Sequence, residues 1–341
     1  MGIDFSLATE TRSKVIDNLL LKLRENYVFP DVAEEMEESI RLHMSNGEYD
    51  SITTASTLCD LLTAHMQEVS HDKHLHLFFE EPQAQANEQQ EQEKWNEMAM
   101  QHNYGFEKVE RLPGNIGYLD FRFFYAPKFA AETAIAALNF LANTSALIID
   151  MRQNHGGDPA MIALLCSYLF DWEPVHLNSL YWRANDSTQQ FWTLPYVPGR
   201  RYLDKPVYIL TSHDTFSGAE EFTYNLKNLK RATIIGETTG GGAHPGDIYH
   251  LDDNFTVFIP TGRAINPVTN TNWEGTGVSP DIEVPQEQAL KLAHIAALKR
   301  VLESIGETPG GARKMLMEEA QKALVELNES AGAGVSSQLA V

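Results

Sequence analysis

Three short apolar runs, "SALIIDM", "KPVYILTS" and "ATIIGE", constrain this chain more than any other feature. Each reads as a short strand with apolar residues on both faces, the pattern of a sheet covered on both sides. Helical stretches alternate with them: "AAETAIAALNFLA", "AMIALLCSYLF" and "SGAEEFTYNLKNL". That alternation implies a parallel or mixed sheet with helices on both faces. "NIGYLDFRFF" adds a strand ahead of the set. "DIYHLDDNFTVFIPTGRAI" reads as a hairpin with an Asp-Asp-Asn turn.

The segment before this core is helical. Val15, Leu19, Leu23 and Tyr27 recur every four residues, and Pro30 follows as a stop. A second helix is expected over 32–44. A third should begin near 50 or 51 and carry Leu58, Leu61, Leu62 and Met66. "HDKHLHLFF" alternates like a strand. The Gln/Glu-rich stretch that follows, about 81–100, reads as a solvated helix or connector. After 284 the chain is helical again, with "GETPGG" as a break and "SAGAGVSSQLAV" as a frayed end. The domain reading is a helical bundle over 1–72, an α/β core over 73–284, and a helical extension over 285–341.

Composition excludes several functions. The 341 residues carry a formal net charge of -21, which opposes phosphate binding and so argues against nucleic acid and anionic membranes. No apolar run approaches the ~20 residues of a membrane span. The start lacks an apolar signal core, so the chain is either cytosolic or has had a signal removed. The two cysteines, Cys59 and Cys166, lie in apolar helical stretches far apart and read as buried spectators.

Ser217 lies at the N-terminus of a helix that follows a strand. Ala219, Phe222, Leu226 and Leu229 form that helix's sheet-facing side. A serine there is either an N-cap or a nucleophile beside free backbone N–H groups, starting with that of Gly218. "IIDMRQNHGGDP" leaves another strand at the same sheet edge, where ligands bind in open α/β folds. Its Gly156 and Gly157 let backbone N–H groups approach a ligand. His74 and His76 share a face if "HDKHLHL" is a strand, and one of them is a candidate general base. His71, His74 and His76 are also a dense cluster. With no HExxH motif, a catalytic metal would need a third ligand from elsewhere, such as His213 or Asp214, so metal is not the favoured reading. Glu274, in the Gly-rich "NWEGTGVSPDIEV", is a carboxylate able to orient a histidine.

Taken in order, "LPGNIGYLDFRFF", "IIDMRQNHGGDP", "TSHDTFSGAEEFTYNLKNLKRATIIGETTGGG" and "EGTGVSPDIEV" give a resemblance. The chain resembles the tail-specific (C-terminal processing) serine protease superfamily over about residues 10–285. The nearest branch holds the tricorn protease core and the modules of interphotoreceptor retinoid-binding protein. The resemblance implies a ClpP/crotonase-like α/β core and Ser217 as nucleophile. Thr238 stands where the processing proteases carry a lysine base, and Lys227 and Lys230 lie elsewhere. The Asp-x-His pattern of the tricorn-like branch matches "DKH" and selects His74 as base. The acid before Gly-Val-x-Pro-Asp is Glu274, and Gly218 with Gly156 or Gly157 would form the oxyanion hole. The serine chemistry that the resemblance implies needs no metal or organic cofactor. The implied partner is a peptide or unfolded protein. The retinoid-binding branch implies a rival, a carrier of retinoids or fatty acids. No segment is long enough for a substrate-capturing PDZ domain between the helical start and the core. Oligomeric state and compartment stay open.

Overall fold

The computed structural model describes residues 7–79, 88–252, 254–306 and 310–329. The described chain divides into two compact units. Unit 1 comprises residues 1–97, 178–190 and 241–276; unit 2 comprises 98–177, 191–240 and 277–341. Both are assembled from separated stretches, which a division along the chain at 72 and 284 does not express.

Unit 1 opens with three helices: α1 (Thr9–Asn26), α2 (Pro30–Ser45) and α3 (Ala55–Ser70). The apolar spacing of α1 buries Val15, Leu19 and Leu23. Pro30, expected to stop α1, instead starts α2, where a missing N–H costs nothing at the first helical position. α3 begins at Ala55 rather than near 50 and ends at His71, whose φ of 55° is a left-handed cap. The alternation expected from His71 onward begins only at β1 (His76–Phe79). Residues 71–75 instead form a turn, in which the Asp72 carboxylate accepts the His74 N–H at 3.1 Å. His74 and His76 therefore do not share a strand face.

β1 pairs antiparallel with β10 (Phe255–Pro260), which pairs antiparallel with β9 (Gly246–His250). Leu75, Leu77, Phe255, Val257 and Ile259 join the helices in one core. Of the expected Asp-Asp-Asn turn, residue 253 lies outside the described residues. The aromatic-rich stretch at 176–192 forms two strands that the sequence reading did not distinguish, β5 (His176–Trp182) and β6 (Ser187–Trp192). Within unit 1, β5 pairs antiparallel with β11 (Gly262–Ile265).

Unit 2 is built on a six-stranded mixed sheet. Its strands are β2 (Phe106–Leu112), β3 (Ile116–Phe121), β4 (Ala146–Asp150), β7 (Val207–Thr211), β8 (Thr233–Gly236) and β12 (Ile282–Glu283). The spatial order is β12-β8-β7-β4-β3-β2; only the β2–β3 pair is antiparallel. The apolar runs are buried on both faces, as their composition requires. Leu147, Ile149, Val207 and Ile209 face α5 (Pro127–Leu141), α6 (Pro159–Ser167) and α7 (Gly218–Asn228). Ile148, Tyr208 and Leu210 face α8 (Gln286–Ile305) and α9 (Ala312–Glu329). The polar stretch expected as a helix or connector contains α4 (Glu88–Gln101); residues 80–87 and 330–341, with part of the expected break, lie outside the described residues. Among the described residues no helix is long and apolar enough to cross a membrane. Cys59 and Cys166 are both buried.

Leu147 is fully buried at the centre of this sheet. Leu147→Ala should leave a cavity and cost about 3 kcal/mol, read as a lower urea midpoint with an unchanged slope.

Candidate functional site

In unit 2 the site begins with the way β4 and β7 end. Both strands run parallel, so their carboxyl ends emerge side by side and their loops meet. Thr215 Oγ1 donates to Met151 O at 2.8 Å, and the Phe216 N–H donates to Asn154 O at 3.1 Å. Asn154 is fully buried. Its Nδ2 donates to Phe121 O at 2.8 Å, and its Oδ1 accepts the Gly156 N–H at 2.9 Å. One side chain thus ties the exit of β3 to the exit of β4, while its own carbonyl holds the exit of β7.

Gly156 and Gly157 have φ of 97° and 130°, accessible to glycine and strained for other residues. The close packing also excludes a side chain. A Cβ on Gly156 would lie 2.5 Å from Gly218 N, and one on Gly157 would lie 2.3 Å from Phe124 O. The Gly156 N–H is engaged by Asn154, and its carbonyl accepts the Phe124 N–H at 2.8 Å. Asp158 then caps α6, accepting the Ala160 N–H at 2.8 Å, with Pro159 at the first helical position.

Ser217 is the N-cap of α7, with φ 55° and ψ -120°. An ordinary N-cap is extended. A non-glycine residue at positive φ is strained, and such strain persists only where surrounding bonds hold it. Here the Ser217 N–H donates to Glu220 Oε2 at 2.9 Å. Glu220 is fully buried, and its other oxygen accepts from Thr239 Oγ1 at 2.5 Å. Thr239 Oγ1 in turn accepts the Val278 N–H at 2.7 Å. This chain of bonds fixes a serine on a sharp strand-to-helix elbow, next to Gly218 at the positive end of the helix dipole.

Unit 1 gathers the other candidates around a carboxylate that the sequence reading did not single out. Asp72 is fully buried. Its Oδ2 lies 2.7 Å from His244 Nδ1 and accepts from Tyr27 Oη at 3.2 Å; its Oδ1 lies 3.8 Å from His74 Nδ1. Glu274 Oε2 accepts the Ala243 N–H at 2.5 Å and lies 3.4 Å from His244 Nδ1. Burial pushes the His74 imidazole down to about 4; Asp72 opposes this shift and His244 adds to it. Burial and then Asp72 raise the Tyr27 phenol. His76 is exposed on β1. Asp72 was visible only as the first residue of "DKH", and His244 only as a lone histidine after "TTGGGA". Asp72, His244 and Glu274 also place three ligand-type atoms within 4.8 Å of one another.

An α/β chain with a mixed sheet and a strained serine at a strand-to-helix elbow is thus defined. Residues 115–284 match the family described as peptidase family S41, and residues 8–112 match the N-terminal domain of peptidase S41 in eukaryotic interphotoreceptor retinoid-binding protein. The chain belongs to peptidase family S41. It is 29% identical over 182 residues to a carboxy-terminal-processing protease of Bartonella bacilliformis, covering 52% of this chain and 40% of that protein. The chain therefore spans less than half the length of that relative. Among solved structures, it resembles a candidate peptidase from Parabacteroides merdae with a TM-score of 0.57 and 20% identity, covering 80% and 90% of the two chains. It also resembles the tricorn protease, with a TM-score of 0.50 and 14% identity over 94% of this chain and 37% of that one. These two likenesses concern the fold.

Two outcomes are expected from this geometry. Asn154→Ala leaves the buried Phe121 carbonyl and Gly156 N–H unpaired, and should cost about 2 to 3 kcal/mol in chemical denaturation. His74 is held neutral in the folded protein, whereas the unfolded chain takes up its proton near pH 6.5. Stability should therefore fall as pH drops from about 6.5 to about 4, by about 3 kcal/mol from this residue. His74→Gln should make the decline of the urea midpoint over that range shallower.

Proposed function

We propose that this chain is a serine-type peptidase acting on unstructured peptides or protein tails. The observation that carries the reading is the strained backbone of Ser217 at the N-terminus of α7, in a chain of family S41. A serine used only as a cap has no need of a positive φ, whereas a nucleophile gains exposure from the sharp turn.

Ser217 is the nucleophile in this proposal. A serine hydroxyl is a weak nucleophile at neutral pH and needs a base. His74 takes the proton and returns one to the leaving amine. Its low pKa keeps the imidazole neutral at pH 7. Glu274 is the acid carried by the resemblance, and Asp72, 3.8 Å from His74 Nδ1, adds a second carboxylate to that role. Gly157 and Gly218 supply the oxyanion N–H groups, because the Gly156 N–H already binds Asn154. Each such donor typically contributes about 3 kcal/mol to transition-state stabilisation. The same reading takes the parallel strands of unit 2 and their helices as a ClpP/crotonase-like core, and α1–α3 as a helical bundle.

A second reading, a carrier of retinoids or fatty acids, is favoured by the match of residues 8–112 to a domain of a retinoid-binding protein. A fluorophosphonate probe separates the two. Adduct on Ser217, absent from Ser217→Ala, supports the peptidase; no adduct from pH 5 to 9 supports the carrier, and retinoid and fatty-acid binding would then be measured. Ser217→Ala should abolish peptide hydrolysis with the fold retained. His74→Ala should be comparably damaging and His76→Ala milder; the reverse order assigns the base to His76.

A further inference from the structure

The peptidase reading leaves His244 without a task, although it lies within a buried cluster of charged groups in unit 1. It is nearly fully buried, and its ring is held edge-on by Phe29 at a centroid distance of 5.2 Å. Its Nδ1 faces two carboxylate oxygens, Asp72 Oδ2 at 2.7 Å and Glu274 Oε2 at 3.4 Å. Two carboxylates grouped around one atom repel each other unless a hydrogen-bond donor or a positive partner lies between them. A buried polar group in such a cluster is costly unless paired.

The loop that carries His244 is tied to the loop that carries Glu274. Ala243 N–H donates to Glu274 Oε2, Trp273 Nε1 donates to Gly242 O at 2.7 Å, and Gly275 N–H donates to Gly241 O at 3.0 Å. Trp273 is almost wholly buried. These bonds hold His244 and Glu274 next to each other, and the His244–Asp72 bond joins them to the turn holding His74.

We infer that His244 is a positioning residue of this site: its Nδ1–H bridges the Asp72 and Glu274 carboxylates and fixes the acid that faces His74. Asp72 then has one oxygen held by His244 and Tyr27 and the other turned to His74. The bridge also balances part of the carboxylate charge within the cluster. A shared proton accounts for the 2.7 Å contact, which is an N–H···O distance; two atoms bound to one zinc at 2.0–2.1 Å lie about 3.3 Å apart.

The inference rests on the peptidase reading, and the test separates the two. Turnover of an unstructured peptide and fluorophosphonate labelling of Ser217 would be followed across pH in the full chain, in His244→Ala and in His244→Asn. Asparagine places a neutral N–H donor where Nδ1 stood. His244→Ala should lower kcat at least tenfold with KM within twofold, and His244→Asn should recover most of that loss. The charged groups that act on His74 are Asp72, which favours its protonation, and His244, which opposes it. Loss of His244 should therefore move the acid limb of the kcat/KM profile to higher pH. A downfield imidazole N–H proton resonance, seen in the wild type and lost in both His244→Ala and Asp72→Asn, reports the bridge without any turnover. Wild-type kcat in His244→Ala, a change in KM alone, or His244→Asn no better than alanine would overturn the inference, as would absence of that resonance from the wild type. No labelling or turnover in the wild type would instead overturn the peptidase reading, with the resonance still deciding whether the bridge exists.

Discussion

The hydrogen bonds of Asn154 are the constraint on which the Ser217 region depends. Three loops leave neighbouring strands at the same sheet edge, and none has regular structure to hold it. A buried amide bonded to Phe121 O and the Gly156 N–H, with its own carbonyl on the Phe216 N–H, fixes all three relative to one another. The glycines then have one permitted course, because any Cβ would collide with backbone. The strained φ of Ser217 follows from that course, and the buried Glu220 carboxylate holds it through the Ser217 N–H. Strain of this kind is stable only when several bonds determine it together.

Unit 1 solves a different problem. It buries Asp72 and brings two imidazoles and a second carboxylate close to it. Burial favours the neutral form of His74. Hydrogen bonds from Tyr27 and His244 supply the compensation that keeps a carboxylate tolerable there. The acid–base properties of His74 are set by desolvation first and by its charged neighbours second. An imidazole that is neutral at pH 7 is the consequence.

Much of the α/β core was legible because its signals are local. "SALIIDM" and "KPVYILTS" are strands in any sheet covered on both faces, and the helices between them show apolar periodicity. The placement of Ser217 at a helix N-terminus after a strand was equally readable. The turn at 71–75 was not. Alternating apolar residues there mimic a strand, but the left-handed His71 and the Asp72 carboxylate bond select a turn instead. Pro30 was ambiguous for a related reason: proline disfavours helix interiors yet suits the first helical position, and only the following helix decides between them.

The sequence alone determined β3, β4, β7 and β8 with the helices between them, the glycine loops and the family to which they belong, because periodicity and short motifs are written in neighbouring residues. Only the tertiary structure decided that His244 meets Asp72, 172 positions earlier in the chain, or that Asn154 ties three loops together. It also set the positive φ of Ser217 and the division into two discontinuous units. These features depend on hydrogen bonds and charges between segments far apart in sequence. Such contacts leave no periodic trace, and a lone buried histidine or asparagine looks the same in sequence as an exposed one.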